Sequence, residues 1–241
     1  MTSSASQPTR SELILGGQKS GKSRRAEALA QAWLARSNQH QAVLIATAQP
    51  WDDEMRARIA RHQVDRAQRV PGMRTVEEPL QLAQAISAHS SPQTLIVVDC
   101  LTLWLTNWLM PAGAPLANSS AKPGVHGTTS QNHAVVQTQS SSNTAAEVLG
   151  ITGIEAEEFI KNKPLALIEH AQAAILLEAI SKAPGPLVLV GNEIGLGVIP
   201  LGREVRAFVD ALGVLNQRVA QVCQRVTLMA AGLPLILKDG T

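Results

Sequence analysis

A chain of 241 residues, 45% of them hydrophobic, can bury a substantial core, and one domain with a long insertion is a more economical reading than two. Its 21 Lys and Arg against 19 Asp and Glu leave a formal charge of +2 with no basic stripe, and aromatics are 2% with no Tyr, so the tracks and stacking platforms of a nucleic-acid binder are missing. No apolar run approaches the roughly 18 residues of a membrane span. The two cysteines, Cys100 and Cys223, lie far apart in apolar surroundings behind a polar opening stretch, which fits a soluble protein of the reducing cytoplasm.

Residues 1–11, rich in Ser and Thr, read as a loose tail. Glu12 to Leu15 is β-compatible and runs into Gly16, Gly17, Gln18, Lys19, Ser20, Gly21, Lys22 and Ser23. Beyond it Ala26, Leu29, Ala30, Trp33 and Leu34 recur on one face of a helix. A strand, a G-x-x-x-x-G-K-S loop and a helix in that order make a phosphate cradle, the P-loop. Gly16 and Gly21 can adopt backbone angles closed to other residues and turn N–H groups inward. Lys22 can reach the β and γ oxygens, Ser23 can offer its hydroxyl to Mg²⁺, and the positive end of the helix faces the phosphates. The alternative is a glycine turn with a chance Lys-Ser behind it, which the flanking strand and helix disfavour.

The apolar run 41–47 predicts a strand covered on both faces, ending at Thr47 and Ala48 where open parallel sheets bind ligands. A charged helix is expected over 52–66, opened by Asp52, Asp53 and Glu54 where the helix dipole favours acids. Met55, Ile59 and His62 share one of its faces, with Arg58 and Arg66 a turn to either side of His62. Two guanidinium groups around an imidazole can hold a phosphate beside a nucleophile. Taken alone, a solvated helix with Glu54 to Arg58 pairing accounts for the same residues.

A short strand or loop over 74–77 and a helix over 78–89 precede the buried strand 94–99, which ends in Asp99. A strand-end carboxylate beside a P-loop is a usual holder of Mg²⁺, directly or through water, and otherwise caps the next helix. In the helix expected over 101–110, Trp104 and Trp108 read as core, with Thr102 and Asn107 as possible polar contacts. Residues 111–146 lack periodic apolar positions and read as a mobile insertion, whose His126 and His133 have no partners at metal-ligand spacing. A short helix over 152–161 is expected, then a longer one over 164–182 with Leu165, Ile168, Gln172, Ile175, Leu176 and Ala179 on one side. The strand 186–191 leads into a loop over 192–200 whose Gly195 and Gly197 allow close approach to a ligand, or simply a tight turn. A helix over 204–224 and strands over 225–231 and 234–238 close the chain with an antiparallel edge. The whole predicts an α/β protein of the P-loop nucleotide-hydrolase fold, a mostly parallel sheet flanked by helices.

A P-loop alone does not separate switches, motors and kinases. The chain lacks the Asn-Lys-x-Asp stretch of guanine-reading switches and the Arg-rich array of a nucleic-acid motor, leaving a small-molecule transferase. Several segments then occur in a telling order: the P-loop with Arg24; 45–48 followed by Asp52-Asp53-Glu54-Met55; Arg58-Ile59-x-x-His62; 74–79; 98–107; 191–200; Asn216-Gln217-Arg218; and 232–238. In these the chain closely resembles the bifunctional adenosylcobinamide kinase and adenosylcobinamide-phosphate guanylyltransferase family of cobalamin synthesis, outside the tail and the insertion.

The resemblance implies two reactions on one nucleotide site. ATP or GTP phosphorylates adenosylcobinamide, and a histidine then carries GMP from GTP to adenosylcobinamide phosphate. The matching histidine is His62, and imidazole suits the task because it is nucleophilic near neutral pH and its N–P bond is labile. By the same matching Gly16 to Ser23 hold the phosphates, and Ala46, Thr47, Ala48, Gln63, Val64, Asp65 and Arg66 line the nucleotide site. Glu77 and Asp99 contact GTP or its metal, Ser23 and Asp99 serving Mg²⁺. Homotrimeric assembly with sites near subunit boundaries is also implied. Where the family carries Arg-Pro after the histidine, this chain has Arg66-Ala67 and a gap about three residues longer, so Arg66 and Arg69 both stand as the equivalent arginine. A P-loop kinase without guanylyl transfer is the competing reading; a nucleotide-gated protein that recruits a partner through its insertion is a third.

Overall fold

The computed structural model describes residues 10–50, 52–110 and 164–240, with side chains in the helix from Pro164 described from His170 onward. The expected tail up to residue 9, the insertion over 111–146 and the short helix over 152–161 lie outside the described residues. Residues 1–112 and 169–241 form one compact unit, and 113–168 another.

The first unit holds a seven-stranded sheet in the order β3-β2-β4-β5-β1-β6-β7. The strands are β1 (Ser11–Gly16), β2 (Gln41–Ala46), β3 (Met73–Glu77), β4 (Thr94–Asp99), β5 (Leu187–Val190), β6 (Arg225–Ala230) and β7 (Leu233–Asp239). All neighbours pair parallel except β6 and β7, which form the expected antiparallel edge. The helices are α1 (Lys22–Leu34), α2 (Asp53–Arg69), α3 (Leu82–His89), α4 (Leu101–Leu109), α5 (Pro164–Lys182) and α6 (Arg203–Val222).

Alternation along the central strands builds two apolar layers. Leu13, Val43, Ile45, Ile96, Val98 and Leu189 face α3, α4, α5 and α6 through Ile86, Trp104, Leu105, Leu176, Ile180, Leu215 and Val219. Ile14, Leu44, Leu95, Val97, Val188 and Val190 face the other way, onto Ala26 and Ala30 of α1 and onto Val70. Both faces are covered, which is why these strands read as continuous apolar runs. Among the described residues no helix is long and apolar enough to cross a membrane.

Some boundaries differ from the sequence expectation. The helix expected over 78–89 starts at Leu82, because Pro79 follows Glu78 and the Glu78 carboxylate accepts the Leu80 and Gln81 N–H groups at 3.0 and 2.8 Å. Helix α2 runs one turn beyond residue 66, to Arg69. On α5 the buried stripe is Ala173, Leu176 and Ile180, while Ile175, expected on one side with Leu176, is 48% exposed. Leu165 and Ile168 lie outside the described side chains. Trp104 lies in the core as expected and Trp108, half-buried, packs against it, each donating its indole N–H to the Leu80 carbonyl.

Candidate functional site

Strand register sets the first part of the site. Glu77 pairs with Ala46, Ala46 with Asp99 and Asp99 with Val190, so three expected site residues share one level at the carboxyl edge of the sheet. The P-loop leaves β1 at the same edge, the usual ligand side of a doubly wound sheet.

The loop's shape depends on its glycines. Gly16 has φ +151°, and a Cβ there would stand 2.5 Å from the Met229 carbonyl oxygen and 2.6 Å from Ser20 Oγ. Gly21, at φ +101°, caps α1 with no side-chain acceptor, so the first N–H groups of the helix are left for an anion. Lys19 adopts φ 56°, a left-handed conformation that costs about 1 kcal/mol or more and is held by the loop's closure. The turn between β6 and β7 buttresses this loop, Gly232 N–H donating to the Ser20 carbonyl at 3.1 Å. Sequence reasoning missed that support, although Ala231-Gly232 between two apolar runs is a hairpin signal.

Lys22 lies almost wholly buried, with Nζ donating to the Gly16 and Gly17 carbonyls at 2.9 and 2.6 Å. Burial lowers its pKa from 10.5, opposed by the neighbouring Cys100 and Asp99. Ser23 Oγ donates to Asp99 Oδ2 at 3.1 Å, so hydroxyl and carboxylate meet at the base of the cradle. Burial and the neighbouring Asp99 push the Cys100 thiol up to about 11, which keeps it neutral beside them.

A cleft of about 1360 Å³ opens over this edge. Gln18, Lys19, Ser20, Gly21, Lys22, Ser23, Ala46, Ala48, His62, Gln63, Arg66, Glu77 and Asp99 all line it. Gly16 and Gly17 are not in its wall, but their carbonyls hold Lys22 there. Thr47 is fully buried beneath the cleft: its hydroxyl donates to the Cys100 carbonyl at 2.7 Å and accepts the Cys100 N–H at 2.8 Å, locking the ends of β2 and β4 together. Val64, 58% exposed, and Asp65, paired with Arg69 at 3.0 Å, are not in the wall either. Thr102 and Asn107 are clamps: Thr102 Oγ1 accepts the Asn192 N–H at 2.8 Å, and Asn107 Nδ2 donates to the Thr47 and Pro79 carbonyls.

His62 sits exposed on α2 on the cleft side, and its neighbour Gln63 donates to Glu77 at 3.2 Å. Arg66 is buried, donating to Thr75 Oγ1 at 3.3 Å, while Arg69 is engaged by Glu27 of α1 at 2.8 Å. In this wall Lys and Arg outnumber Asp and Glu eight to three, against near balance in the whole chain. Arg56 and Arg61, not singled out in the sequence, belong to that excess, as does Arg24 beside the P-loop. Such a cleft favours a polyanion. Among the described residues no cluster of three or more His, Cys, Asp or Glu could hold a metal by itself.

The chain is similar to known proteins over most of its length. A family model described as cobinamide kinase / cobinamide phosphate guanyltransferase matches residues 12–237. The bifunctional adenosylcobalamin biosynthesis protein CobP of Pseudomonas aeruginosa is 38% identical over 228 residues, covering 94% of this chain and 96% of that protein. The bifunctional adenosylcobalamin biosynthesis proteins CobU of Escherichia coli and Salmonella typhimurium are 29% and 30% identical, each covering 94% of this chain and 98% of theirs.

Proposed function

This chain belongs to the cobinamide kinase / cobinamide phosphate guanyltransferase family, and from that premise we propose that a single nucleotide cleft serves both of its reactions, with His62 as the carrier of GMP. It is a bifunctional transferase of cobalamin biosynthesis, with GTP and ATP as the nucleotide substrates and a corrinoid as acceptor.

In the kinase reaction the corrinoid hydroxyl oxygen attacks the γ-phosphorus and the bond to the β-phosphate oxygen breaks. The nucleoside diphosphate leaves and the hydroxyl proton passes to solvent. Lys22 and the uncapped start of α1 offset charge on the transferred group. In the second reaction an imidazole nitrogen of His62 attacks the α-phosphorus of GTP. An N–P bond forms, the α–β bridge breaks and pyrophosphate leaves. A phosphate oxygen of the phosphorylated corrinoid then attacks the same phosphorus, breaks the N–P bond and frees the imidazole. The cations of the cleft wall, Arg66 among them, offset charge on the departing pyrophosphate.

Mg²⁺ fits here. Ser23 and Asp99 offer one hydroxyl and one carboxylate within 3.1 Å of each other, the sparse oxygen set that Mg²⁺ takes when phosphates and water complete its shell. When bound, it would neutralise phosphate charge.

The observation that carries this reading is that His62 and the P-loop line the same cleft. Incubation with GTP labelled at the α-phosphate tests it. Wild type retains acid-labile label and His62→Asn retains none, while His62→Asn still phosphorylates the corrinoid. A wild type that never takes up label leaves only the kinase.

A homotrimer in the cytoplasm completes the proposal. Every residue of β7 is exposed, and Leu233, Leu235, Ile236 and Leu237 are 50–70% exposed on an edge that no described strand pairs with, a surface that invites a second copy.

A further inference from the structure

The loop that follows β5 carries an apolar surface beside the nucleotide cleft. From Ile194 to Gly202 the sequence is Ile-Gly-Leu-Gly-Val-Ile-Pro-Leu-Gly, with no charged or hydrogen-bonding side chain. Leu196 is 80% exposed, Val198 96%, Ile199 77% and Leu201 98%.

The loop is held at both ends. At its root Gly191 N–H donates to the Ile14 carbonyl, Glu193 N–H to the Gly16 carbonyl, and Asn192 is gripped by Thr102 and by Asn216. At its exit Arg206 donates to the Pro200 and Leu201 carbonyls. The Glu193 bond ties the root to the first residue of the cradle, and Asn192 and Ile194 themselves line the cleft. The exposed aliphatic tip follows in sequence directly from these two wall residues.

We propose that Leu196, Val198, Ile199 and Leu201 form the docking face for the corrin macrocycle of the acceptor substrate. This deepens the family's kinase reaction and does not depend on His62. An acceptor hydroxyl must reach the γ-phosphate in the cradle, so the bulk of its carrier lies just outside the cleft. A corrin is broad, studded with methyl groups and fringed by neutral amides, so its periphery calls for apolar contact. The loop supplies that and the arginine-rich α2 wall does not. A second copy of the chain would instead be drawn to the β7 edge, which offers unpaired backbone as well as aliphatic side chains.

The test is the kinase half-reaction at saturating nucleotide with cobinamide varied, for wild type, Leu196→Ser/Val198→Ser and Leu196→Ile. These side chains are 80% and 96% exposed in the free protein, so folding depends little on them. The double variant is expected to raise the corrinoid KM about tenfold or more, from lost apolar contact. Its kcat, its nucleotide KM and its mass in sedimentation equilibrium stay those of wild type, and Leu196→Ile stays near wild type throughout. A corrinoid KM within about twofold of wild type overturns the proposal. So does a raised KM that appears only together with a smaller assembly, which would make this face a contact between copies.

Discussion

On the proposed reading, Lys22 serves both half-reactions. Replacing it with Ala is expected to lower each by about 10²–10³-fold, since a preorganised charge at the phosphates is lost; a loss confined to corrinoid phosphorylation would require a second guanylyl site. Its pH behaviour follows from burial. The folded-state pKa lies below 10.5, so the active ammonium form is present below that folded value and is lost as pH rises through it. The alkaline limb of kcat/KM should therefore fall earlier than an ordinary lysine would give. Stability moves the other way. Between the two pKa values the unfolded chain holds more protons, so the folded state gains as pH rises through that window. Thr47 is instructive at the same scale. Its position beside Ala46 and Ala48 suggested a wall residue, but its hydroxyl faces inward to join β2 and β4. Sequence gives the position along a strand and not which way the end of that strand turns.

Helix α2 carries His62, and its seat is mostly polar. Gln63 meets Glu77, Arg66 meets Thr75, and Arg69 bridges Asp65 and Glu27. Glu27 is 7% exposed at its side chain and Arg69 45%, so this ion pair lies between the surface and interior cases. Arg69→Met is expected to cost about 1–3 kcal/mol in urea denaturation, because a nearly buried carboxylate loses its cation. Glu27→Gln/Arg69→Met should cost less than Arg69→Met alone. The same geometry separates two arginines that sequence left equivalent: Arg69 is committed to α1, while Arg66 sits buried against β3 in the cleft wall with no salt bridge among the described residues. Heptad-like spacing shows which residues share a face of α2. It does not show which neighbour that face meets, and that contact assigns the work.

Across the whole chain, the exposed aliphatic edge of β7 predicts that Leu235→Lys/Leu237→Lys shifts the protein to smaller species in sedimentation equilibrium, by placing like charges across a joined edge. Because the β6–β7 turn supports the P-loop through Gly232 and Ser20, the same variant should bind nucleotide more weakly. Deleting residues 111–146, in contrast, should leave kcat of both reactions within about twofold, as a polar insertion can be shortened at small entropic cost. The sequence by itself determined the phosphate cradle, the strand-end Asp99, the alternation of strands and helices, and the antiparallel close. Each of these is a local pattern of residue type and spacing, which short-range sterics and periodicity are enough to dictate. Only the tertiary structure decided that Glu77, Ala46 and Asp99 share one level, that His62 opens onto the cradle's cleft, and that an aliphatic loop borders it. Those depend on strand order and register, which arise from packing between segments far apart in the chain.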